Sequence, residues 1–382
     1  MIYVDNAATT KLSSSVLDKV LPFMADEYGN PSSLYSIGVK AKRAIDVARN
    51  QIAIAIGASP NEILFTSGGS ESNNWVFQSI KDCYHNQPLH IITTEIEHHS
   101  VLNICHELSK NGVEITFIPV NRNGQVSPVA IENALKPHTR LVSVMFANNE
   151  IGAIQPILEI GNILKERQVL FHTDAVQAVG HLPLNVSNLN INFLTASAHK
   201  FNGIMGVGFL FKRANIKFQP LILGGSQEQN NRAGTENVPG IVAMGHALEE
   251  SMSILDTEYQ RLRKMTELTI EGLKSKISGI RVNGCSDRLP GLINIGFDGI
   301  LGESLMHMLD LKGICVSTSA ACTAGENKIS HVLRAIGLSE ECARASIRIS
   351  FGRYNTFEEV EMIVNAICSA YAKIKGISHQ II

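Results

Sequence analysis

Five short stretches of this chain carry side chains able to do chemistry. In "TASAHKFNGIMGVGFLF", Lys200 follows one apolar run, with Ser197 and His199 just before it, and leads through a glycine-rich turn into another run. A lysine at the mouth of a sheet, near an anion site, is what an imine-forming cofactor enzyme requires, although most lysines are merely solvated. In "HTDAVQAVG", Asp174 closes a strand-like run and Gln177 follows it. A helix N-cap is the commoner role for such an aspartate. Its other role is to pair with a protonated ring nitrogen: at ~4 Å and an effective dielectric of ~20 the attraction is about 4 kcal/mol, enough to hold a pyridinium protonated at neutral pH. "EIEHHSV" places His98 beside His99. Neighbours on an extended segment face opposite ways, so the two do not share a metal ion, and no metal site is expected. The segment alone favours one histidine capping the next helix over an imidazole lying on an aromatic ligand. The glycines of "FTSGGSESNNW" let backbone N–H groups approach a ligand at a helix N-terminus, a setting that suits phosphate; Gly68, Gly69 and Ser70 would serve equally well as turn and cap residues. Finally, Cys322 in "CVSTSAACTAGEN" sits among Ser, Thr, Ala and Gly, with little bulk to bury it. Such surroundings favour a reactive thiol over an inert one, but a lone loop cysteine is more often incidental.

These groups are positioned by a repeating pattern. The runs "EILFT" at 62, "HIITT" at 90, "VEITFIPV" at 113, "LVSVMF" at 141, "VLFHTD" at 169, "INFLTAS" at 191 and "GVGFLF" at 206 alternate with segments of helical spacing, among them one from Ser32, one from Glu71 and one from Ile157. Continuous apolar strands between helices predict an α/β fold with a mostly parallel sheet covered on both faces. In such sheets ligands sit at the carboxyl ends of the strands, where four of the five stretches fall, all but that of Cys322. From about residue 260 the rhythm changes to shorter strands and helices, "GIRVNG", "GLINIGF", "ESLMHMLDLKG" and "ASIRISFG", predicting a smaller α+β domain.

Composition narrows the function classes. With 382 residues, 45% of them hydrophobic, and a formal charge of -2, the chain reads as a globular protein of about two domains. Near neutrality argues against nucleic acid or an anionic membrane as the main partner. The start, "MIYVDNAATT", shows no basic or apolar leader pattern, no apolar run approaches a membrane span, and a cytoplasmic protein is expected. Seven cysteines without a C-x-x-C pair fit reduced thiols. Neither G-x-G-x-x-G nor G-x-x-x-x-G-K-[ST] occurs, which counts against nicotinamide dinucleotides and P-loop nucleotides.

In order along nearly the whole chain, "DNAATT", "SGGSESNN", "EHHSV", "NNEIG", "HTDAVQ", "SAHK", "NRAGTEN", "ACTAGE" and "ASIRISFGR" resemble the cysteine desulfurases, pyridoxal-phosphate enzymes of the class V aminotransferase group, of the nitrogenase and iron–sulfur-cluster type. The resemblance implies a fold-type I enzyme with a seven-stranded sheet in a large domain, residues 15–259, and a small domain from residues 1–14 and 260–382 that carries Cys322. It implies a cytoplasmic homodimer that converts L-cysteine to L-alanine and hands sulfur, as a Cys322 persulfide, to an acceptor protein such as an iron–sulfur scaffold. Lys200 would join pyridoxal 5'-phosphate as an imine, Asp174 would pair with the ring nitrogen, His98 would stack on the ring and move protons, and Gln177 would bond the phenolic oxygen. Gly69, Ser70, Ser197 and His199 would hold the phosphate with Thr235 of the second subunit, while Asn149 and Arg348 would bind the substrate carboxylate. The chain departs from the family pattern at Gly69-Ser70, at Ile204-Met205, at Ser226 through Asn231, and at Tyr35. Selenocysteine lyase or a class V aminotransferase is the alternative on the same scaffold, and a non-catalytic scaffold that binds a sulfur acceptor is the second.

Overall fold

The computed structural model describes residues 1–318 and 329–380. Thirteen strands are present among them, in three sheets. The largest contains β2 (Ile63–Thr66), β3 (His90–Thr94), β4 (Glu114–Ile118), β5 (Thr139–Ser143), β6 (Leu170–Asp174), β7 (Phe193–Ser197) and β8 (Gly208–Lys212), in the order β2-β8-β7-β6-β5-β3-β4. These are the seven apolar runs of the sequence. Pairing is parallel from β4 through β3, β5 and β6 to β7, and β8 lies antiparallel between β7 and β2. A glycine-rich connection of ten residues, 198–207, joins β7 to β8, too short for a parallel crossover, and this explains the reversal.

Helices cover both faces, as a sheet of nearly unbroken apolar strands requires. On one face, helices Ser36–Ile56 and Val238–Ser253 pack through Ile45, Ile52, Ile241 and Leu248; on the other, helices Gly69–Cys83 and His99–Lys110 pack through Trp75, Phe77 and Val101. The first of these starts four residues later than its spacing predicts. Asn30 and Pro31 form a turn in which the Asn30 carboxamide oxygen accepts the Ser32 N–H, so the helix opens only at Ser36.

The remaining strands are β1 (Ile2–Tyr3), β9 (Ile280–Asn283), β10 (Leu292–Phe297), β11 (Ile314–Cys315), β12 (Ser317–Thr318) and β13 (Ser346–Ser350). β12-β13-β10-β9 form an antiparallel sheet and β1 pairs with β11 in parallel. A core of their own joins Ile293, Ile295, Ile347 and Ile349 to Leu262 and Met265 of helix Leu255–Lys276, to Ile363 and Ile367 of the last helix, residues 357–380, and to Ile2 and Val4 of the chain's first strand. No helix among the described residues is long and apolar enough to cross a membrane.

The departure at Ser226 through Asn231 has a distinct backbone. Glu228, Gln229 and Asn230 all lie in the left-handed region, with φ of 46°, 59° and 64°, at a cost of roughly 1–2 kcal/mol each. Buried polar bonds oppose that cost. The Glu228 carboxylate accepts both terminal nitrogens of Arg49 at 2.8 and 2.9 Å and the Phe65 N–H at 2.9 Å, which ties the turn to β2. Arg49→Met leaves that carboxylate buried without its cation and is expected to cost about 3–5 kcal/mol. Thermal unfolding checks this: the double variant Arg49→Met/Glu228→Gln should be the more stable of the two.

Candidate active site

The carboxyl ends of the large sheet's strands and one face of the small antiparallel sheet enclose a cleft of about 1080 Å³, its mouth included. Past β2, helix Gly69–Cys83 points its N-terminus into the cleft, with Gly69 and Ser70 on the wall. Past β3 comes His98; past β5, Met145 through Glu150; at the end of β6, Asp174 and Gln177; at the end of β7, Ser197, His199 and Lys200. The small sheet supplies Ser317 and Thr318 from β12 and Arg348 from β13, and the first strand leads to Asp5, Ala7 and Ala8. Most of the expected site residues thus meet in one cavity. Thr235 does not: it lines a separate cavity with Arg232 and Glu236. Cys322 lies outside the described residues.

Asp174 is almost fully buried, and both of its oxygens are engaged by neutral donors. Asn73 Nδ2 donates to Oδ2 at 2.7 Å and the Val176 N–H donates to Oδ1 at 3.0 Å. The second bond is the local turn expected of a capping aspartate. No cation pairs with Asp174 among the described residues, so a buried carboxylate faces the cleft without a counter-ion, a state that favours a cationic ligand. His98 takes the capping role that its segment favoured, and its ring also lines the cleft. Its Nδ1 accepts the Ser100 N–H at 3.2 Å, capping helix His99–Lys110. Burial and the Lys200 charge lower its pKa, partly offset by Asp174, so the imidazole is neutral and the acceptor role of Nδ1 leaves the proton on Nε2. His199 is likewise held neutral, pushed down to about 4 by burial and Lys200.

Residues 5–10 complete the site. Lys200 Nζ donates to the Ala7 and Ala8 carbonyls at 2.6 and 2.7 Å, and Gln177 Nε2 donates to the Ala7 carbonyl at 3.0 Å. The Thr10 N–H and hydroxyl both donate to the His199 carbonyl at 2.9 Å. Arg348, 4% exposed, donates to Asp5 Oδ1 at 2.6 Å and to the Asn149 carbonyl at 2.8 Å.

Four polar residues of the site had no role in the sequence reading. Asn73 supports Asp174, and Ser100 bonds both His98 and Asn73. Glu97 and Glu150 are fully buried carboxyls. Burial raises Glu97 to about 8, against bonds from the Met145 N–H and the Thr94 hydroxyl, and raises Glu150 to about 7, against a bond from Ser330 and the charge of Arg348. Their motifs were quoted, but a glutamate's type says nothing about whether it is ionised; only burial decides that. Among the described residues no group of three His, Cys, Asp or Glu side chains is placed to hold a metal ion.

With this geometry in place, comparison with known proteins is decisive. The family model for aminotransferase class-V matches residues 2–363. The chain belongs to that family. It is 46% identical over 378 residues to the cysteine desulfurase IscS of Methanosarcina thermophila, covering 99% of this chain and 93% of that protein. Among solved structures, a NifS-like protein superposes with a TM-score of 0.92 at 36% identity, covering 97% of this chain and 99% of its own. A structure titled SspA in complex with cysteine gives 0.83 at 35%, covering 93% and 100%. The seven-stranded sheet is therefore that of a fold-type I member of the class-V aminotransferases.

The two raised carboxyls give a sign for pH. Each binds a proton in the fold at a pH where the unfolded chain has released it, so the stability they confer is fully present below about pH 4.5. It is lost as pH rises, to about 7 for Glu150 and about 8 for Glu97. Glu97→Gln should accordingly gain in melting temperature relative to the parent between pH 5 and 8, and the gain should vanish at the acid end; a gain independent of pH would contradict the assignment.

Proposed function

We infer that this class-V enzyme is a cysteine desulfurase that works with pyridoxal 5'-phosphate bound in the cleft. The observation that carries the reading is the convergence of a helix N-terminus, an unpaired buried carboxylate and a lysine ammonium on neighbouring strand ends of one sheet. The residues present fit the cofactor. A Cβ on Gly69 would meet Val176 Cγ2 at 2.9 Å, so the glycine lets the helix N-terminus sit close against Val176, and a phosphate is favoured at such a terminus. Asp174 offers the charge that a protonated ring nitrogen needs, and Lys200 is the amine.

When bound, pyridoxal phosphate supplies an electron sink for the bonds at the substrate's α-carbon. The chain's own groups do the rest. Gly69, Ser70, Ser197 and His199 would hold the phosphate, Asp174 would hold a proton on the ring nitrogen, and Gln177 would help to orient the ring. His98, neutral with its proton on Nε2, and Lys200 would move protons, Lys200 at the substrate's α-carbon. Asn149 and Arg348 hold the substrate carboxylate. Cys322 accepts the sulfur: the carbon–sulfur bond of L-cysteine breaks, a sulfur–sulfur bond forms at Cys322, and the thiol proton ends on L-alanine, so that cysteine plus thiol balances alanine plus persulfide.

The reading includes a second copy of the chain. Thr235 lines a cavity apart from its own cleft, and the chain exposes Met205, Leu223 and Leu34, the last 95% exposed, apolar surface that a second copy would cover while bringing Thr235 to the neighbour's phosphate site. A domain division at residues 15–259 against 1–14 with 260–382 is part of this reading, supported by the separate core around Ile293, Ile347 and Ile363, although Ala7, Leu289 and Leu292 pack into the large core. The persulfide then passes to an acceptor protein, with iron–sulfur assembly as the route in view, in the cytoplasm.

Cys322→Ala is expected to lower alanine formation from L-cysteine by roughly 100-fold or more, measured by chromatography of the amino acids, while cofactor binding persists. Retained alanine formation would point instead to an aminotransferase or selenocysteine lyase. Lys200→Ala should abolish turnover, and borohydride should no longer fix cofactor to the chain.

A further inference from the structure

Arg348 already has an anionic partner. Its guanidinium spends one N–H on the Asn149 carbonyl and one on Asp5 Oδ1 at 2.6 Å, and its Nε is buried without a hydrogen-bond partner. A ligand carboxylate therefore reaches Arg348 only through the remaining N–H groups of its two terminal nitrogens, one of which Asp5 already holds. Asp5 lines the same cleft, on a segment pinned on both sides. Before Asp5, the Val4 N–H donates to the Cys315 carbonyl at 3.0 Å; after it, the Asn6 N–H donates to the Ser350 carbonyl at 3.1 Å and the Ala7 N–H to the Ser350 hydroxyl at 2.9 Å. Asp5 cannot simply leave when a ligand arrives.

We propose that Asp5 is a built-in carboxylate that sets how tightly Arg348 holds the carboxylate of an amino-acid ligand, weakening it so that the product is released. This rests on the reading of Arg348 as the carboxylate-binding residue. Two carboxylates on one guanidinium repel each other, and beside a guanidinium as buried as that of Arg348 the repulsion is screened less than on an open surface. Asp5 has a second effect: it holds the guanidinium in place, so its role is that of a specificity-determining residue that acts through Arg348. The two effects have opposite signs on removal of the charge. Asparagine separates them, because its oxygen still accepts from Arg348 while the negative charge is gone.

The test titrates the cofactor-loaded enzyme with L-alanine and with L-alaninamide, which lacks the carboxylate, following the absorbance of the bound cofactor. In Asp5→Asn, L-alanine is expected to bind about three- to tenfold more tightly, whereas L-alaninamide binds no more tightly than in the parent. Unchanged or weaker L-alanine binding, or tightening of both ligands together, overturns the proposal. Asp5→Ser carries the same expectation and serves if the asparagine variant fails to fold. Arg348→Ala tests the underlying reading separately: it should weaken L-alanine and leave L-alaninamide alone. If it leaves L-alanine unchanged, the carboxylate assignment falls and this proposal with it; if it weakens L-alanine while Asp5→Asn does not tighten it, the proposal alone falls.

Discussion

The carbonyls of Ala7 and Ala8 accept the Lys200 ammonium, and Asp5, on the same short segment, accepts Arg348. Lys200 stands at the end of a strand in the large sheet; Arg348 stands in the small one. Residues 5–10 therefore lace together two separate apolar cores across the cleft between them. The lacing is mostly backbone: Thr10 bonds the His199 carbonyl, Asn6 bonds Ser350, and Asn202 bonds Thr10 and Lys11. Such bonds depend on the path of the chain more than on side-chain identity, and they fix the two halves of the site relative to each other. An apolar contact shares that task, since Ile96, Met145 and Ile151 pack directly against Val332 and Leu333.

The polar groups deep in this cleft would cost several kcal/mol apiece if left unsatisfied. Many are met by neutral donors, while Asn73 Oδ1, Glu97 Oε2 and Arg348 Nε have no hydrogen-bond partner. Asn73 and a backbone N–H serve Asp174, Ser100 serves His98, and Thr94 with the Met145 N–H serves Glu97. Neutral donors hold a side chain in place without cancelling its charge. Asp174 in particular has neutral donors on both oxygens and no ion-pair partner among the described residues, an arrangement suited to gripping a protonated ring nitrogen.

Much of this was legible in the sequence, for physical reasons that can be named. A parallel sheet covered on both faces must be written as unbroken apolar runs, and each of the seven runs became a strand of the large sheet. Ligand sites at strand ends follow from that topology, so Gly69, His98, Asp174 and Lys200 could be singled out, and the family resemblance supplied Arg348 and Asn149 from beyond it. What local pattern could not convey was tertiary. The antiparallel turn of β8 depends on the length of one connection. The left-handed run Glu228–Asn230 depends on Arg49, far away in the chain, and nothing in "QEQNN" announces it. The same limit hid Glu97 and Glu150, whose ionisation is set by burial, and the grip of residues 5–8 on Lys200, which involves backbone carbonyls that any residue type could offer.

The central claim is that L-cysteine sulfur is transferred to one thiol of this chain within the cleft that Lys200 and Arg348 define. Mass spectrometry of the cofactor-loaded protein after a single turnover with sulfur-labelled L-cysteine tests it most directly. The account predicts that the peptide containing Cys322 gains one labelled sulfur atom, that the label leaves on reduction, and that one alanine appears for each sulfur bound. Label on a different cysteine, or alanine formed with sulfur released free and none held by the protein, would contradict it.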